Sequence, residues 1–191
     1  METLYAALSA INPAFALINS FGNYWGHLGE RIQGYREKDV YQFQMSTIRA
    51  FGPTLGANQM ILVAEAGYTS VPGLSDTTIP FDGPGTITTA NELATAIGIQ
   101  PLTEPASNFA TSSSWGYRGV VQLDYLDAWN GINVSPYLQF AHDVNGITPN
   151  PILNFREGRK SMTLGLKFDY QSQWGSELQF TQFWGADTHN L

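Results

Sequence analysis

Cysteine is absent from this 191-residue chain, which excludes a disulfide framework and any thiolate-held metal or redox centre. Charge is scarce: 13% of the residues are Asp, Glu, Lys or Arg, about half the usual share of a soluble domain. No apolar run reaches the roughly 18 residues that a membrane-crossing helix needs. Basic residues are few, with nine Lys and Arg against sixteen Asp and Glu and a formal charge of −7. With no basic stripe either, nucleic acid is not an expected partner. The three histidines, His27, His142 and His189, have no metal-ligand spacing, so no metal or cofactor is expected.

Aromatic residues and glycine are plentiful instead, with 9 Tyr, 11 Phe, 5 Trp and 19 Gly. Their arrangement is clearest in the stretch WGYRGVVQLDY, Trp115 to Tyr125. Alternate residues of a β-strand point to opposite faces. Trp115, Tyr117, Gly119, Val121, Leu123 and Tyr125 therefore share an apolar face, and Gly116, Arg118, Val120, Gln122 and Asp124 a polar one. Aromatics at both ends of an apolar face with aliphatics between them is the pattern of a strand that meets lipid, with aromatic girdles at two interfaces. One such strand is a weak signal, so the reading rests on repetition.

The pattern repeats. Residues 1–37 form an N-terminal loop and helical segment: Leu4, Ala7, Leu8 and Ile11 have helical spacing, Pro13 interrupts, and Gly22, Gly26, Gly29 and Gly34 follow. Residues 38–186 form the β segment, with strands about 39–51, 58–69, 115–126, 132–142, 158–170 and 174–184, and 187–191 are a tail. Turns are expected at Phe51-Gly-Pro-Thr-Leu-Gly-Ala57, Asp127-Ala-Trp-Asn-Gly131 and Gln171-Ser-Gln173. Pro136 falls inside the fourth strand, where the missing N–H calls for a bulge. Long connections run over 70–113 and 143–157. In the first, Thr89-Ala-Asn-Glu92 resembles a capping box ahead of Leu93, Ala96 and Ile97, and predicts a short helix.

Strands of this length exceed the usual 5–6 residues of globular sheets and match the reach of a tilted strand across an outer membrane. Short and long connections alternate, as in barrels with tight periplasmic turns and long outer loops. The fold expected is all-β: an antiparallel up-and-down meander of about six long strands, part of a transmembrane β-barrel, with short helices in the N-terminal segment and the long loop. The alternation puts both chain ends on the outer side, and about eight strands make the smallest such barrel. The segment is therefore expected to belong to a larger barrel. The start METLYAALSAINPAFALINSFG makes a poor signal peptide, with Glu2 in place of a basic region and Pro13 within it, which agrees with that expectation.

The phase of each strand assigns roles. Glu65, Arg118, Asp124, Arg159, Lys167, Asp169 and Glu177 are candidates to line a lumen, where charges of both signs set a transverse field. Their structural alternative is ion pairing between neighbouring strands. Tyr68, Trp115, Tyr125, Tyr170, Trp174 and Trp184 are candidate interface anchors. Tyr41, Phe43, Leu62, Val121, Leu123, Leu138, Leu164, Leu166 and Phe180 are expected to face lipid, while Arg49 and Lys160 sit near strand ends where they can snorkel. No enzymatic activity is expected: Ser135 and Ser161 are the serines that could accompany His142, and strand phase sends them to the other face.

Ordered motifs run through the same segment. Gly34-Tyr35-Arg36, Asp39-Val40, the Phe51 to Ala57 turn, Glu65-Ala-Gly67, Trp115-Gly-Tyr-Arg118, Leu123-Asp-Tyr125, His142-Asp-Val-Asn-Gly146 and Glu157-Gly-Arg-Lys-Ser161 resemble the C-terminal part of a family of proteobacterial outer-membrane proteins, domain of unknown function 1302. The likeness runs over about 34 to 184. It implies a bacterial outer-membrane barrel, a passive pore or a conduit for hydrophobic molecules, with the lipid bilayer as its partner. It supplies no catalytic or binding motif and no envelope protein partner. The rival expectation is a soluble antiparallel barrel that binds a small hydrophobic ligand, its apolar faces turned inward.

Overall fold

The computed structural model describes residues 7–18, 25–31, 37–74 and 80–186. Leu4, Gly22, Gly34, His189 and the tail 187–191 lie outside the described residues. Six long strands dominate the fold: β1 (Tyr41–Phe51), β2 (Gln59–Ser70), β3 (Ser113–Trp129), β4 (Ile132–Asn145), β5 (Lys160–Tyr170) and β6 (Trp174–Trp184). They form a single antiparallel sheet in the order β1-β2-β3-β4-β5-β6. The sheet is open, and β1 and β6 are its edges. The all-β meander read from the sequence is therefore observed, with strand ends within three residues of those expected.

Local chemistry makes the hairpins. Leu55 (φ 53°) and Gly56 (φ 79°) turn the chain between β1 and β2, closed by bonds from Thr54 N to Ala57 O at 3.2 Å and Ala57 N to Thr54 O at 3.0 Å. Asn130 (φ 48°) and Gly131 (φ 82°) turn it between β3 and β4. Two left-handed residues in succession give the mirror-image turn whose twist matches its flanking strands, and Asn-Gly tolerates it best. The turn is tighter than the expected Asp127 to Gly131: Asp127 to Trp129 belong to β3, whose register with β4 shifts between Tyr125 and Trp129. Pro136 needs no bulge. The β3–β4 register is the same at Gln122↔Tyr137 and Tyr125↔Val134, on either side of it. The ladder with β3 is interrupted at the proline while pairing to Leu166 of β5 continues.

Strand registers align the alternating residues into rows. One central row runs Leu62–Val121–Leu138–Leu164–Phe180 across β2 to β6, and on the edge strand β1 its partner is Arg49, two residues from the turn end of that strand. The row beside it runs Thr47–Ala64–Gly119–Phe140–Met162–Gln182. These rows make the apolar face. A soluble sheet buries such a face against a second layer. Here it stays open: Leu138, Leu164 and Phe180 are 42%, 50% and 62% exposed. Among the described residues the buried apolar side chains, Ala57, Val71, Leu74, Ala94, Phe109, Ile147, Phe155 and Ala186, all lie outside the six strands.

The chain divides into two compact units, one of residues 1–40, 71–112 and 147–154, the other of 41–70, 113–146 and 155–191. The second unit is the sheet. In the first, residues 7–9 are helical, Pro13–Ile18 is a 3-10 turn, and α1 (Glu92–Ala96) is the short helix expected in the long connection. Its cap is Asn91 instead of the expected Thr89: Asn91 Oδ1 accepts from Leu93 N at 2.9 Å and Ala94 N at 3.2 Å. Thr89 is engaged elsewhere. Its N–H and hydroxyl both donate to Oε1 of buried Gln100, at 3.1 and 3.0 Å, and Gln100 Nε2 donates to the carbonyls of Thr89 and Asn91. A buried amide with these partners costs far less than an unsatisfied one. Ala94 of α1 is fully buried under Leu8 and Phe15. The two long connections are also joined: Thr111 N donates to Ile147 O at 2.9 Å and Asn150 N to Asp82 O at 2.8 Å.

Candidate functional site

The opposite face of the sheet gathers six of the seven charged candidates. Glu65 and Arg118 are direct register partners on β2 and β3, and Arg118 Nε lies 3.0 Å from Glu65 Oε1. A cross-strand pair as exposed as this is worth about 0.2–1 kcal/mol. Its placement matters more than its energy: a mid-strand carboxylate and guanidinium are held on the face opposite the central row, with Val63 and Val120 as their neighbours along the strands.

A second group spans four strands. Tyr137 of β4 pairs in register with Gly165 of β5, and a Cβ at 165 would collide with the hydroxyl-bearing edge of the Tyr137 ring. The missing side chain lets the ring lie across β5, where its hydroxyl donates to Glu177 of β6 at 2.5 Å. Lys167 Nζ sits 4.9 Å from the same ring centroid, a cation–π distance. It also donates to Gln122 Oε1 of β3 at 3.3 Å, and Gln122 Nε2 donates to Asp124 Oδ1 at 2.7 Å. The sequence Asp124–Gln122–Lys167–Tyr137–Glu177 is thus a continuous polar track from β3 to β6. Asp169 stands beside it, its Oδ1 accepting from Asn133 Nδ2 and Ser172 N, both at 3.3 Å.

Arg159 is the exception. It lies one residue before β5 and reaches Asp143, with Nε 2.8 Å from Oδ2. The same oxygen accepts Arg156 N at 3.0 Å, and Glu157 Oε2 accepts Gly146 N at 2.8 Å. These bonds pin residues 155–159 to the end of β4. They hold Phe155, almost fully buried, over Gly67 and Gly116, neighbours in the β2–β3 register. Sequence reasoning passed over Gln122, Tyr137, Asp143 and Phe155. A tyrosine opposite a glycine is the signal that finds Tyr137, since an aromatic ring commonly covers a bare strand glycine.

The six aromatic candidates separate into two groups. Tyr68 and Trp115 are register partners, and with Trp184 they stand where the strands meet the long connections. Tyr125, Tyr170 and Trp174 stand at the tight-turn end, Tyr170 and Trp174 in register and Tyr125 donating to Leu55 O at 3.1 Å. Trp115 and Tyr125 are ten positions apart on β3. At about 3.3 Å per residue and a tilt near 45°, that separates the two groups by about 23 Å, close to the height of an apolar membrane band.

An antiparallel meander with one largely apolar face and one face that carries the paired charges defines the class of this fold. Within it, the chain belongs to the family described as Protein of unknown function (DUF1302), whose model matches residues 2–191. The match extends past both ends of the motifs that suggested it. No curated protein and no solved structure matches the chain.

Proposed function

We propose that the sheet is a section of a bacterial outer-membrane β-barrel that serves as a passive conduit, its apolar face against lipid and its polar face along a water-filled lumen. The observation that carries this reading is the apolar face, which crosses six strands in register and stays exposed at Leu138, Leu164 and Phe180. Two aromatic groups about one hydrocarbon thickness apart support it. So does the sorting of charge, which assigns Glu65, Asp124, Asp169 and Glu177 to the other face beside Arg118 and Lys167. In this reading the tight turns are periplasmic and the long connections external.

A lumen lined by both signs passes small polar solutes and favours one sign according to the local balance. The full-length protein in planar bilayers is expected to give discrete conductance steps. In a salt gradient, Lys167→Glu is expected to move the reversal potential toward cation preference, because it turns a positive wall charge negative. Failure of the wild-type protein to conduct at every protein-to-lipid ratio would overturn the reading.

A further inference from the structure

Basic residues on the apolar face stand within three residues of a strand end. Its register-paired positions carry Arg49, His142 and Lys160, and no Asp or Glu. Arg49, at the tight-turn rim, has its guanidinium carbon 5.0 Å from the Phe51 ring centroid. The rim at the long connections differs. There a single row runs Tyr117–His142–Lys160–Trp184 across β3 to β6, so the imidazole and the ammonium stand on adjacent strands with an aromatic ring on either side. The Tyr117 and His142 rings meet edge-on with centroids 5.6 Å apart, and Phe140 lies 6.4 Å from His142 and 6.3 Å from Trp184. Both basic side chains are half-buried, and neither has a hydrogen bond or ion pair among the described residues.

We infer that Lys160 and His142 form a binding site for the phosphate of an anionic lipid headgroup. The inference rests on the lipid-facing reading above and adds which lipid the rim selects. Two N–H donors on adjacent strands, with no carboxylate on their face, complement a phosphate bearing several acceptor oxygens and a negative charge. The flanking rings supply an apolar bed for the acyl chains beneath it, as amphipathic aromatics do at a membrane interface. The lysine stem lies along the apolar surface while its ammonium reaches headgroup depth, which avoids the cost of a charge among acyl chains. At the other rim Arg49 stands alone over its ring, so the paired site belongs to the loop side.

The test uses full-length protein in bilayers that contain acyl-brominated lipid, either phosphatidylglycerol or phosphatidylcholine, at equal fractions. The emission of Trp184 is read as the difference between the protein and its Trp184→Phe variant. Brominated phosphatidylglycerol is expected to be enriched at Trp184 roughly fivefold over brominated phosphatidylcholine, the preference of about one basic group for an anionic membrane. The Lys160→Gln/His142→Gln double variant is expected to lose that preference, and Arg49→Gln to keep it. Equal quenching by the two lipids would overturn the inference and leave the lipid-facing reading standing. Quenching by neither would overturn both, and a preference that survives the double variant would show that these two side chains are not the site.

Discussion

Gly165→Ala is expected to destabilise the sheet by about 1–3 kcal/mol, a large effect for one added methyl group on an open face. The added Cβ takes the space of the Tyr137 ring, which must swing off β5. Its hydroxyl then leaves Glu177, and Lys167 loses the ring face it sits against. Ordinarily the same substitution in a strand is favourable by about 0.5–1 kcal/mol, because glycine loses more backbone freedom on folding. The sign is therefore expected to reverse in a Tyr137→Ala background, where the ring no longer lies across position 165. A double-mutant cycle by urea unfolding in bilayers measures this coupling directly. Additive single effects would mean that the ring does not depend on the bare glycine.

The second large effect is expected at Leu138, in the centre of the apolar face between Val121 and Leu164. Leu138→Arg is expected to cost about 2–4 kcal/mol, the penalty of a cation at the mid-depth of a barrel's lipid face. Gln139→Arg, one residue along on the polar face, is expected to change stability by less than about 0.5 kcal/mol, as surface substitutions do. Exposure alone does not predict this contrast. Leu138 is 42% exposed in the isolated chain, so a sheet whose apolar face met water would tolerate the arginine. Unfolding of the two variants in the same vesicles gives the comparison.

These positions also show how much the sequence made legible. Period-two alternation identified all six strands and their two faces, because one apolar face repeats while the connections change. Asn130-Gly131 marked its hairpin, since few other pairs take two left-handed conformations in a row. Register was less accessible. A two-residue turn fixes the pairing of β3 with β4, but β4 and β5 are joined through residues 146–159, so nothing local revealed that Tyr137 faces Gly165. Arg159 was read as a strand residue because alternation continues through it, whereas the Asp143 carboxylate holds it and Arg156 N just outside β5. The Thr89 cap failed for a related reason. Its side chain and N–H are drawn to Gln100, eleven residues away, and the nearer Asn91 takes the helix end.

Central to the account is which face of the sheet meets lipid, and adjacent residues on β3 decide it. Val121 lies in the central apolar row, while Gln122 donates to Asp124 and accepts from Lys167 on the polar track. Single fluorescent probes at these two positions in the full-length protein, reconstituted in bilayers, are to be quenched by lipid-attached quenchers of graded depth. Strong quenching at 121 by quenchers deep in the acyl region, with little at 122, is the predicted result. Absence of lipid quenching at both positions would contradict the account and turn the apolar face toward the interior of a soluble barrel, with a small hydrophobic ligand as the next object of search.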